Sequence, residues 1–175
     1  MIDNLQPAGF VYNAMVAKPI LIAWHSRTGA AEALAKAVNR GAQGSAVLVR
    51  AKDVQPEHII AAKAYVFACP ENLASMSGEM KEMFDRCYYP VLGQVEGTSY
   101  ATIVAAGSDG EGAQRQMDRI ATGWRLRRIT DPMIFNFQAQ TEQEILAIKT
   151  VPQNYLIACE QLGNGLKEGL EIGLY

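Results

Sequence analysis

Short apolar runs with little polar interruption, separated by stretches of helical periodicity, constrain this chain more than any other feature. The runs are residues 19–24 (PILIAW), 46–50 (AVLVR), 64–69 (AYVFAC), 100–106 (YATIVAA) and 133–137 (MIFNF). A strand with one wet face alternates apolar and polar residues, whereas a run without alternation predicts a strand covered on both faces. Between the runs, apolar residues recur at the spacing of one helix face: Ala30, Leu34, Ala37 and Val38, then Met76, Met80, Met83, Phe84 and Cys87, then Ala113, Met117, Ile120, Ala121 and Trp124. A PEHII segment leads into the third run. A last helical region opens at Thr141 with the capping box TEQE, is interrupted at Pro152, and resumes through Tyr155, Cys159 and Leu162. Five strands alternating with helices predict an α/β fold, a three-layer sandwich around one parallel sheet.

A chain of 175 residues is long enough to bury a core as one domain without staples. The formal net charge of -2 gives no sign of the basic face that nucleic acid requires. Cys69, Cys87 and Cys159 are odd in number and lie outside CxxC pairs, so they match neither a disulfide framework nor zinc spacing and point to a reducing, cytoplasmic setting. No apolar run reaches the length of a membrane span. Residues 1–17 lack a basic start and a long apolar stretch, so they read as an N-terminal arm and not a signal peptide, with Met15 a candidate start. The domain proper is residues 18–175.

Ligands of open parallel sheets sit beyond the carboxyl ends of the strands, where strand order reverses. Three segments there stand out: 25–31 (HSRTGAA), 70–78 and 107–112. In a sheet of order 2-1-3-4-5 their strands are neighbours and the loops converge. The first brings small residues, two hydroxyls and a glycine to a helix start, where unpaired backbone N–H groups and the helix dipole suit a phosphate. The same residues also suit an ordinary capped helix. The methionine stripe after the second reads as core. The third, within AAGSDGEG, lets backbone approach a flat ring closely, though alone it is a flexible turn.

Taken together, HSRTGAAEALA, the P-x(5)-MSGEMKEMFDR segment at 70–86 and AAGSDGEG at 105–112 resemble the flavodoxin-like superfamily, most closely its WrbA-type and NAD(P)H-dependent FMN reductase branches. The likeness spans essentially residues 18–170 and implies a five-stranded parallel sheet of order 2-1-3-4-5. It also implies FMN as cofactor, with NAD(P)H as electron donor. On that likeness Ser26, Arg27, Thr28, Gly29, Ala30 and Ala31 wrap the FMN phosphate. Pro70, Glu71, Asn72, Leu73 and Ala74 line the isoalloxazine, and Ala106, Gly107, Ser108, Asp109 and Gly110 offer N–H groups to its pyrimidine edge. Two departures matter. Ala30 and Ala31 stand where many relatives have Asn-Thr, which removes a phosphate hydroxyl, and the three loops contain no aromatic residue to cover the ring.

A near-neutral chain with an open ring face suits an enzyme better than an acidic one-electron shuttle. The resemblance implies ping-pong hydride transfer from NAD(P)H to a quinone or similar acceptor, with no catalytic side chain, in a homodimer or homotetramer whose neighbouring subunit helps to close the site. The alternative is a non-enzymatic electron carrier or regulatory module with weak or lost FMN binding. Arg125, Arg127 and Arg128 read as a helix C-terminal cap or a solvated face sooner than as a site for the extra phosphate of NADPH. His25 reads as a packing residue sooner than as a flavin contact from the first loop, and His58 as surface. AGSDG imitates a nucleophile elbow, but Ala106 replaces its first glycine and both histidines precede Ser108. A Walker GK[ST], the acidic cluster of a response regulator and the Cys-x(5)-Arg of a small phosphatase are all missing, Ser75 standing six places beyond Cys69.

Overall fold

Runs free of alternation need partners on both faces, and the chain supplies them. In the computed structural model, which describes residues 20–175, β1 (Ile20–Trp24) runs parallel between β2 (Ala46–Arg50) and β3 (Ala64–Asn72), with Ile22 opposite both Leu48 and Val66. The arm read at residues 1–17 lies outside the described residues. β3 turns back into the two-residue β4 (Ser75–Met76) and pairs along its other edge with β5 (Ser99–Ala106), again in parallel. The fifth position of the sheet is shared by two pieces. β6 (Arg127–Arg128) pairs with Ser99 and Tyr100, and β7 (Met133–Asn136) pairs with residues 103–106. The five main positions therefore follow the order 2-1-3-4-5, with the last strand broken around Pro132, which has no N–H to give a ladder.

Helices cover both faces. On one side α1 (Ala30–Gly41) and the long C-terminal α6 (Gln153–Glu171) bury Leu34 and Val38 against Ile20, Ile22, Val66 and Ile103. Gly163 lets these two helices meet backbone to backbone, because a Cβ there would sit 2.1 Å from the Val38 carbonyl oxygen. On the other side α2 (Pro56–Ala61), α3 (Gly78–Val91) and α4 (Glu111–Gly123) enclose Tyr65, Phe67, Met80, Met83, Phe84 and Trp124. The Phe67 and Phe84 rings lie 4.8 Å apart and Phe84 meets Trp124 edge-on at 5.3 Å.

Several boundaries differ from the sequence expectation. Residues 70–78 are a β-hairpin and a helix start, not a loop, so Met76 belongs to β4 while still filling the same core as the helical methionines. Arg127 and Arg128 lie in a strand and cap no helix. Arg128 pairs with Asp118 and stacks 5.8 Å from the Tyr100 ring centre, and Arg125 bonds Glu96 at 2.9 Å. The TEQE box does form, Thr141 accepting from the Glu144 N–H at 3.3 Å and Glu144 from the Thr141 N–H at 2.9 Å. It starts only the short α5 (Glu142–Leu146), after which the chain passes along the sheet edge to Pro152 and α6.

Candidate functional site

The first loop leaves β1 with the His25 N–H bonded to the Ala68 carbonyl at 3.0 Å, then turns into α1 through Gly29 at φ 87°. That left-handed conformation is open to glycine and strained for a residue with a Cβ. The first helical bond is from the Ala33 N–H to the Gly29 carbonyl, at 3.0 Å. No side chain caps this helix, and the N–H groups of residues 26–32 have no acceptor among the described residues. Unpaired donors at the positive end of a twelve-residue helix form an anion cradle. Ser26 and Thr28 leave it open.

The second loop is the β3–β4 hairpin. Its tip residues, Leu73 and Ala74, both have positive φ, 52° and 58°, the conformation of a two-residue turn usually built from Asn-Gly. Leu73 is wholly exposed (101 %). Asn72 has its side-chain Nδ2 buried without a partner among the described residues. Strand alternation sends Glu71 to the face of Phe67 and Cys69, where its carboxylate accepts from the Gly110 N–H at 2.7 Å and the Ala113 N–H at 3.3 Å. Glu71 thus caps α4 from the neighbouring strand and holds the second and third loops together.

The third loop follows β5. The carbonyls of Ala106 and Gly107 accept from the N–H groups of Phe137 (2.8 Å) and Ala139 (2.9 Å), and the Asn136 side chain bonds the Ser108 carbonyl. The N–H groups of residues 107–109 keep no acceptor among the described residues.

These loops enclose one cleft of about 760 Å³, within the range of cofactor sites. It is lined by Ser26, Arg27, Thr28, Ala30 and Ala31 from the first loop, the whole of residues 70–74, and Ala106, Gly107 and Ser108 from the third. Gly29, Asp109 and Gly110 were expected there and do not line it. Gly29 acts through its backbone angle, and the Gly110 N–H is consumed by Glu71, which corrects the expectation that it is offered to a ring edge. Sequence reasoning missed Ala105, Phe137, Ala139, Ile145, Leu146 and Lys149, which complete the wall. One signal for them was present. The apolar residues at 145, 146 and 148 follow a capping box yet are too few to make a helix face, so they had another purpose.

His25 is buried, its Nε2 3.8 Å from Glu79 Oε2. Burial lowers its pKa below 6.5, Glu79 pulls the other way, and Arg27 and Arg50 add to the lowering. It stays out of the cleft wall, as a packing residue would. His58 accepts from the Gln55 N–H and caps α2. Arg127 and Arg128 sit beside the first residues of β5, at the opposite end of the strands from the cleft, which removes them as candidates for a phosphate there.

The donor set fits a flavin mononucleotide: an anion cradle at one end, unpaired amides of residues 107–109 at the other, and a buried unpartnered amide nitrogen on Asn72 between them. A profile of the NADPH-dependent FMN reductase family matches residues 51–140, just over half of the chain. The chain belongs to that family. With the family come FMN and a nicotinamide electron donor. The matched span of this FMN reductase relative includes the hairpin and the 107–109 loop, and excludes the turn at 26–31. No curated protein sequence matches the chain.

Solved structures agree on the fold. An archaeal flavodoxin superposes with a TM-score of 0.70 at 16% identity, over 87% of this chain and 98% of its own. A WrbA-like flavodoxin from Agrobacterium tumefaciens gives 0.63 at 14%, over 85% and 97%. The flavodiiron protein from Giardia intestinalis gives 0.66 at 18%, over 86% of this chain and 36% of its own.

Proposed function

We propose that this member of the FMN reductase family holds FMN in the cleft and catalyses electron transfer from NAD(P)H to a quinone or similar small acceptor by a ping-pong mechanism. The observation that carries the reading is the set of unpaired amides at residues 26–32, at one end of a cleft whose other end carries the amides of residues 107–109. In this reading residues 26–31 hold the phosphate, residues 70–74 lie along the isoalloxazine, and the amides of residues 107–109 meet its pyrimidine edge. Glu71 serves by fixing the hairpin to α4.

FMN held by these residues would supply a hydride acceptor for NAD(P)H and, once the oxidised nucleotide has left, a hydride donor to the quinone, which with one proton from solvent becomes the quinol. The chain's task is to orient both reactants over one ring face, and no side chain is assigned as acid or base. The thiols take no part. Cys69, Cys87 and Cys159 are all buried, and burial pushes Cys69 and Cys159 up to about 12. That none of the three is paired with another supports a cytoplasmic setting. Leu73, Ile145, Leu146 and Ile148, all exposed around the mouth, support a homodimer or homotetramer in which a neighbouring subunit covers the ring.

The test is a titration of the purified protein with FMN, followed by anaerobic addition of NADPH or NADH and then benzoquinone. Bleaching by the nicotinamide and recolouring by the quinone, with parallel double-reciprocal plots in the steady state, is the expected result. Bound flavin that neither nucleotide bleaches contradicts the enzyme and leaves the carrier, for which the absence of hydroxyls at Ala30 and Ala31 argues.

A further inference from the structure

We propose that Lys149 recognises the phosphate of the flavin and is the main source of the preference for FMN over phosphate-free riboflavin. The inference rests on the functional reading above. Its ground is the path of the chain after α5. The Lys149 N–H donates to the Thr28 carbonyl at 2.8 Å, which fixes this residue beside the turn that cradles the anion. Residues 141–148 are exposed, while Lys149 is half-buried and forms part of the cleft wall.

Among the described residues, three charged ones line the cleft: Arg27, Glu71 and Lys149. The Glu71 carboxylate is engaged by the N–H groups of Gly110 and Ala113. Arg27 is exposed, so its charge is screened by water and salt. Lys149 is the cation on the sheltered side.

Its ammonium rests on the carbonyls of Glu144, Ile145 (3.3 Å) and Ala147 (2.9 Å), at the negative end of the short α5. Those acceptors are neutral dipoles. A phosphate dianion beside Thr28 is a stronger partner for an ammonium, and a four-carbon stem anchored at the Thr28 carbonyl lets the charge turn toward it. The Ala30-Ala31 pair offers the phosphate no hydroxyl, and Lys149 supplies the missing contact from a different part of the chain.

A purely structural cap on α5 predicts something else, namely that removing it loosens the cleft wall and weakens every flavin alike. Dissociation constants for FMN and for riboflavin, read from quenching of flavin fluorescence, separate the two. The wild type, Lys149→Met and Lys149→Arg are compared, with far-ultraviolet circular dichroism as the check on folding. The expected result is that Lys149→Met weakens FMN at least tenfold and changes riboflavin less than twofold, while Lys149→Arg retains most of the FMN preference. Equal weakening of both flavins, or an unchanged ratio, overturns the role of Lys149 and leaves the cofactor assignment standing. A wild type that binds neither flavin overturns the functional reading and this proposal with it.

Discussion

At the scale of single residues, the site is built by groups that act away from the cleft as much as by those lining it. His25 shows this. It is enclosed between the end of β1 and the start of α3, facing Glu79, with Arg27 and Arg50 near enough to oppose its protonation. Burial is the largest effect and sets the sign. The folded protein binds a proton at His25 less readily than the unfolded chain, so the contribution to stability is complete above about pH 6.5 and is lost as pH falls toward the lowered value. Chemical denaturation of the wild type and His25→Gln between pH 7.5 and 5 is expected to show the wild type losing more stability on acidification. A steeper loss in the variant contradicts the assignment. The unpaired donors of the turn at 26–31 were legible because that pattern is local: small residues, hydroxyls and a glycine in sequence. Lys149 was not, since its relation to Thr28 depends on where the chain passes 121 residues later, which no local pattern records.

At the scale of elements, strands and helices were readable wherever periodicity spans a whole element, and less so where an element is short or combines two functions. The β3–β4 hairpin is the main case. Pro70, Glu71 and Asn72 look like loop residues, and the tip lacks the Asn-Gly that usually announces such a turn. The structure nevertheless places Leu73 and Ala74 at positive φ, which costs L-residues roughly 1–2 kcal/mol each. Ala74→Gly should relieve part of that strain and raise stability by about 0.5–1 kcal/mol in a urea melt. A loss of stability there would show that the turn is less strained than its angles state. The broken fifth strand and the chain after α5 have the same origin. A two-residue strand and a five-residue helix are too brief to carry a period, and only their pairing with β5 and with Thr28 defines them.

At the scale of the whole molecule, two cores on opposite faces of one parallel sheet position three loops at a single edge. The layer order was legible because runs covered on both faces allow few other arrangements. How closely the outer helices approach was not, since it depends on Gly163 facing the Val38 carbonyl across α1 and α6. Gly163→Ala must push those helices apart, and overpacking of this kind costs roughly 1–3 kcal/mol, readable as a lower thermal midpoint. An unchanged midpoint would mean the two helices part without strain. The fold delivers unpaired donors to a cleft, and the proposed function assigns them to the family's flavin. The most direct measurement of that junction is a 1H–15N amide spectrum of the protein titrated with FMN. The account predicts that the amides of residues 26–32 shift strongly, in saturable proportion to bound flavin, together with those of residues 107–109. Flavin that binds while the amides at 26–32 stay in place would contradict it.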